Sequence, residues 1–381
     1  MEGNRHSGVT EATQRQFFTL LRSGLWNEVP DAGAFAVPVD WESLYRLSFE
    51  QTVVPLVTDG INRLPAECLP GAEPERLDPF LGDMMATARR NAQLDSFIPK
   101  MFNALRDIPV VLVKGQSLAQ DYPDPARRQP GDIDLLLLPA QYQSAKDILL
   151  PKATKVLEED QEIYHQGMHF RGIEVELHGS ISTLMSRKLD RKLAVLLEQQ
   201  FDGRPLPTVS IGGAEIPVPE ANFNAVYIFV HFLQHYWAGG VGLRQLVDWT
   251  VFSSVHKRDI HPVLLENTLT DLGLLHLWKT FTGFAQEYLG CPAEKLPLAA
   301  TPDPARNAQI WQYILRCGNF GKNTGRTRTR KDESYLVRKI HSFWHLVVAD
   351  RLRHFRVFPK ESVRFFFGAF GYGIQRLAKG E

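Results

Sequence analysis

Several features that would point away from an ordinary globular enzyme are scarce here. The 381 residues include three cysteines, Cys68, Cys291 and Cys317, scattered and odd in number. That count argues against a disulfide framework and fits a reducing, cytoplasmic setting. Net charge is missing too: 43 Lys and Arg face 43 Asp and Glu, so no global field directs the chain toward nucleic acid or a membrane surface. No apolar run approaches the roughly 18 residues that a membrane span needs. The opening MEGNRHSGVTEATQRQ lacks the apolar core of a signal peptide. No internal repeat is evident. What remains is a chain long enough for two or three domains with ample core.

Its most informative stretch is PVVLVKGQSLAQDYPDPARRQPGDIDLLLL, from Pro109 to Leu138. The apolar runs Val110–Val113 and Leu135–Leu138 read as buried strands. Between them lie the turn Lys114-Gly115-Gln116-Ser117 and a loop rich in Pro and Arg. In the second strand Asp132 and Asp134 are two apart, so both carboxylates point to one face while Ile133 packs on the other. Two anions held side by side repel, and a bound cation offsets that cost. Hard carboxylate oxygens suit Mg²⁺, which keeps waters and substrate phosphates as the rest of its shell. A Gly-Ser-type turn offers N–H groups and a hydroxyl to a triphosphate. A third carboxylate on a neighbouring strand would complete a two-metal clamp for phosphoryl or nucleotidyl transfer. In RGIEVELHG, Glu174 and Glu176 share one strand face, and Glu176 is taken as the third member.

These residues carry a resemblance. The segment resembles the polymerase-β type of nucleotidyltransferase, and more closely a bacterial group of uncharacterised nucleotidyltransferase family proteins. The shared pieces are Val113-Lys114-Gly115, Tyr122-Pro123-Asp124-Pro125, Arg128, Asp132-Ile133-Asp134-Leu135-Leu136 and Glu176-Leu177-His178, with HFLQHYWAGGVGLRQLVDW further on. Together they cover roughly residues 80 to 255. Two departures stand out: Gln116 separates Gly115 from Ser117, and the loop before Asp132 is longer than in the minimal enzymes.

The resemblance implies an α+β fold. A polymerase-β-like core of a small mixed sheet with helices (108–218) would sit between a helical N-terminal lobe (1–107) and a mostly helical C-terminal domain (219–381). It further implies transfer of an NMP group from an NTP, ATP by default, to an unidentified acceptor hydroxyl, with release of pyrophosphate. Asp132, Asp134 and Glu176 would be catalytic and hold two Mg²⁺ ions. Lys114, Gly115, Ser117 and Arg128 would bind the nucleotide. For Lys114 and Arg128, neutralising a triphosphate competes with ion pairing to nearby aspartates. For Ser117, a phosphate contact competes with a helix N-cap. A nucleotide- or partner-binding protein that kept the fold and lost turnover is the alternative, and Gln116 favours it.

The flanks are read from periodicity. Helices are expected over 11–25, from Asp40 through Val54 with Pro55 kinking or ending it, over about 79–106 with a kink at Pro99, and over 140–150, 184–200, 260–289, 304–317 and 333–357. Hairpins should turn at Arg171-Gly172 and at Gly212-Gly213. His178, His231 and His235 are assigned structural roles, His165 and His169 none. Arg244 and Asp248, four apart, should form an intrahelical ion pair. From Gly321 on, 14 Lys and Arg face 5 Asp and Glu among aromatics. That end could hold RNA or a membrane surface, but core aromatics with a solvated basic edge are favoured.

Overall fold

The computed structural model describes residues 9–71, 73–183, 185–238, 240–318, 355 and 357–368. Helix α1 (Glu11–Trp26) begins at Thr10, whose side chain accepts from the Thr13 amide. Asp40 caps α2 (Trp41–Glu50) in the same way. The helix expected to carry Val53 and Val54 and to kink or end at Pro55 stops earlier, at Glu50. Thr52 has φ 56°, and α3 (Val54–Ile61) restarts with Pro55 in its first turn, where a missing N–H leaves no bond unmade. Helix α4 (Asp78–Ala104) contains Pro99 and buries Phe80, Thr87, Asn91, Leu94, Ile98 and Met101, a stripe at helical spacing that leads into the sheet.

The strands are β1 (Val111–Val113), β2 (Ile133–Leu136), β3 (Lys155–Val156), β4 (His165–Phe170) and β5 (Ile173–His178). They form one sheet in the order β1-β2-β5-β4-β3, in which only β2 and β5 run parallel. Helix α5 (Gly115–Ala119) and α6 (Pro139–Leu149) follow β1 and β2, and α7 (Arg187–Gln200) follows β5. A small second pair, β6 (Thr208–Ile211) and β7 (Ala214–Pro217), turns at Gly212-Gly213, and β4–β5 turns at Arg171-Gly172. All four turn residues have positive φ, as tight two-residue hairpins require.

Strand alternation sorts the sheet into two faces. Leu112, Ile133, Leu135, Met168, Val175 and Leu177 pack with Leu94 and Ile98 of α4 and Leu149 of α6. The other face carries Val111, Val113 and Leu136 beside Tyr227, and then Asp134, Glu176 and His178. The chain is therefore a mixed α+β protein with a polar cluster on the sheet face away from α4 and α6.

The rest is helical: α8 (Ala221–Ala238), α9 (Leu243–Val255), α10 (Pro262–Leu272), α11 (Leu275–Leu289) and α12 (Pro304–Cys317). The helix expected over 260–289 is two, divided at Gly273 with φ 68°. Phe17 of α1 stacks on Trp311 of α12, and Phe18 meets the same ring edge-on. Trp26 donates to the Leu289 carbonyl at 2.6 Å. Helices before and after the sheet thus share one apolar core. The expected helix over 333–357 and most of the basic, aromatic end lie outside the described residues. Among the described residues, no helix is long and apolar enough to cross a membrane.

Candidate active site

The turn after β1 brings a cation to the strand end. Lys114 has φ 56° and Gly115 φ 42°. A Cβ on Gly115 would lie 3.2 Å from the Asp132 carbonyl, so the turn backs directly onto the start of β2. Ser117 lies inside α5 and its hydroxyl donates to the Lys114 carbonyl at 2.7 Å, so it does not cap the helix, whose N-cap position is Lys114 with no side-chain cap bond. Gln116, the departure noted in the sequence, donates to Asp95 on α4 at 2.6 Å and anchors the turn.

Parallel pairing of β2 with β5 sets Asp134 directly opposite Glu176. Asp132 joins them: one oxygen from each of Asp132, Asp134 and Glu176 lies within 4.8 Å of the others. Glu174, the other candidate, pairs in register with His169 and is not in this group. Lys114 Nζ lies 2.6 Å from Asp134 Oδ1. His178 Nε2 lies 2.8 Å from the same oxygen and 3.4 Å from Glu176 Oε2, and His165 Nε2 lies 3.3 Å from Glu176 Oε2.

The electrostatics follow from this crowding. Asp134 raises the Asp132 carboxyl to about 6, burial adds to the effect, and Lys114 only partly opposes it. Burial alone would raise Asp134, but Lys114 and then His178 hold it below the usual range. Glu176 is likewise held far down, its burial outweighed by His165, His178 and Lys114. His178 is raised, since its bonds to Asp134 and Glu176 outweigh burial. Three hard carboxylate donors, one of them still carrying excess negative potential, fit a divalent cation such as Mg²⁺.

The loop before β2 is clamped from three sides. Arg128 forks onto Asp248 of α9, Nε to Oδ1 and Nη2 to Oδ2 at 2.8 Å each. Tyr122 Oη donates to Asp248 Oδ1 at 2.6 Å. Asn91 of α4 donates to the Arg128 carbonyl at 2.9 Å, and Arg244 donates to the Gln129 carbonyl at 2.9 Å. Arg127 pairs with Asp59 of α3. The intrahelical Arg244–Asp248 pair expected from spacing is therefore replaced: Asp248 spends both oxygens on Arg128 and Tyr122. Among the described residues, Arg128 Nη1 and Arg244 Nε are buried without a hydrogen-bond partner.

A cavity of about 380 Å³ opens over the cluster, walled by Lys114, Asp132, Arg128, Arg244 and residues of α8. That volume is in the range of small-molecule sites. His231 and His235 of α8 line it, their Nε2 atoms 3.1 Å apart. Burial lowers both, His235 to about 4, so the pair is neutral near pH 7. Sequence reasoning left His165 unassigned and set His178 aside. The signal for both was available: the two-residue turn at Arg171-Gly172 fixes the register in which His165 faces His178.

A family model described as uncharacterised nucleotidyltransferase matches residues 37–290, a wider span than the motifs alone. No curated protein and no solved structure matches the chain.

Proposed function

This chain belongs to the uncharacterised nucleotidyltransferase family, and on that premise we propose that it moves an NMP group from an NTP to an acceptor hydroxyl, releasing pyrophosphate. The observation that carries the reading is the register of Asp134 with Glu176, with Asp132 alongside, beneath a cavity that also meets Lys114, Arg128 and Arg244. Oxygen donors and cations thus line one space, as a metal-bound triphosphate requires.

Asp132, Asp134 and Glu176 would hold Mg²⁺, two ions in the polymerase-β-type arrangement. When bound, Mg²⁺ supplies positive charge to the phosphoryl oxygens and lowers the cost of an attacking alkoxide. Lys114 and the Gly115 turn face the β- and γ-phosphates. Arg128 and Arg244, each with a buried N–H lacking a partner, add positive potential behind them. The acceptor oxygen bonds to the α-phosphorus as the bond to the pyrophosphate oxygen breaks, and the acceptor proton leaves toward Glu176 and its histidine partners. The protein's part is positioning and charge placement. Incubating the protein with each α-labelled NTP and Mg²⁺, and following pyrophosphate release, tests the reaction. Release that Asp134→Asn abolishes is the expected result.

A second reading, nucleotide binding without turnover, draws on one observation: Lys114 and His178 both occupy Asp134 Oδ1. NTP binding with no pyrophosphate release under any acceptor would favour it.

A further inference from the structure

We propose that His165, Glu176 and His178 form a second cation site of mixed nitrogen and oxygen donors, which takes a transition-metal ion of the zinc class in preference to magnesium. Two imidazoles and one glutamate are the ligand set of catalytic zinc sites that keep an open position. Imidazole nitrogen favours zinc and its neighbours over magnesium, which seeks oxygen and water.

The spacing of this cluster matches that of donors around one ion. His178 Nε2 is 2.8 Å from Asp134, a hydrogen-bond length. From Glu176 Oε2, by contrast, His165 Nε2 is 3.3 Å and His178 Nε2 is 3.4 Å. Donors bound at about 2.0–2.1 Å to one tetrahedral ion stand about 3.3 Å apart. The three donor atoms all lie within 4.8 Å of one another. Backbone pairing holds them there: His165 is in register with His178 on the adjacent strand, and Gly167 with Glu176. Rigid strands rather than loops therefore set the geometry. All three residues also line the cavity, so a remaining ligand position can be filled from it.

Glu176 is shared with the carboxylate trio, so one carboxylate would bridge an oxygen site and a nitrogen-bearing site. The inference rests on the proposed reading only through that shared residue. It stands if NTP transfer fails, because it concerns ion preference and not turnover.

The test is Co²⁺ titration of metal-free protein carrying no polyhistidine tag, followed by visible absorption, with pulsed EPR of the wild type loaded with one Cu²⁺ beside it. One Co²⁺ per chain with ligand-field bands that excess Mg²⁺ does not remove is expected, together with ¹⁴N coupling from imidazole on Cu²⁺. Outer-shell partners already cost 10–100-fold in metal affinity, so His165→Ala should weaken Co²⁺ by at least about tenfold. Asp132→Asn should leave the bands in place. Bands erased by Mg²⁺, loss with Asp132→Asn but not with His165→Ala, or Cu²⁺ bound without ¹⁴N coupling would each overturn the site. The wild-type EPR result decides even where a variant folds poorly.

Discussion

Asp134 and Glu176 stand opposite each other on the only parallel strand pair of the described sheet, 42 positions apart in sequence and directly paired in register. Neither residue alone makes a site. Their pairing forces two carboxylates together, and Lys114 and His178 fill the space between the charges until a stronger cation replaces them.

Lys114 should accordingly have opposite effects on the two ligands. In the metal-free protein it sits on Asp134 Oδ1, the oxygen a cation would take. Lys114→Gln removes that competitor, so Mg²⁺ or Mn²⁺ should bind more tightly. NTP should bind more weakly, because a phosphate-facing charge is gone. Calorimetric titration of each ligand separately checks this. A fall in both affinities would mean that Lys114 serves mainly to hold the turn.

Metal binding should weaken in acid. Asp132 is raised from 3.8 to about 6 by Asp134 and by burial. Its folded value lies above its unfolded one, so the metal-free fold loses stability as pH climbs through that interval and Asp132 ionises. A cation relieves that cost but must displace the proton. Affinity for Mn²⁺, followed by EPR, should be level above about pH 7 and fall by up to about tenfold per unit below about pH 6. A flat profile from pH 5 to 8 would show that Asp132 is not a ligand.

The clamp on the Asp132 loop should be costly to break. Arg128 is 4% and Asp248 5% exposed, so Asp248→Asn leaves a guanidinium buried beside Arg244 with no carboxylate. Removing one partner of a buried pair costs about 3–5 kcal/mol. Replacing both, Arg128→Met with Asp248→Leu, should recover part of that loss. Tyr122 still loses its acceptor, a further cost of about 1–3 kcal/mol. Urea unfolding of the wild type and the two variants gives the comparison.

Helices α1 and α3 meet through glycine on both sides. A Cβ on Gly24 would stand 2.0 Å from the Leu56 carbonyl oxygen, and one on Gly60 2.2 Å from that of Leu20. Either alanine must push backbone apart, an overpacking cost of about 1–3 kcal/mol. Gly82 lies within α4 with nothing near its Cβ position. There alanine should stabilise, by about 0.5–1 kcal/mol. Thermal melts of the three single variants should split two against one.

What could be read from sequence follows from the range of the interactions. Strand period puts Asp132 with Asp134 on one face, and Glu174 with Glu176 on another strand's face, but only the register of β2 with β5 sets Glu176 beside Asp134. Both hairpin turns were legible from glycine, and α12 from periodicity. A break near Pro55 was legible, but its place at Thr52 was not, because Thr52 adopts a left-handed backbone that its residue type does not announce. Asp248 was given the wrong partner because spacing reveals only neighbours on its own helix, whereas Arg128 reaches it from 120 positions away. The cavity wall from α8 was likewise a tertiary fact, and so His231 and His235 read as structural.

Calorimetric titration of ATP, GTP, CTP and UTP, with and without Mg²⁺, into the wild type and into Asp132→Asn/Asp134→Asn tests the central claim most directly. Metal-dependent binding of at least one NTP that the double variant loses is the predicted result, and it also names the base for an acceptor search. Absence of binding of every NTP to the wild type, or binding that survives loss of both aspartates, would contradict the placement of a metal-bound triphosphate over Asp132, Asp134 and Glu176.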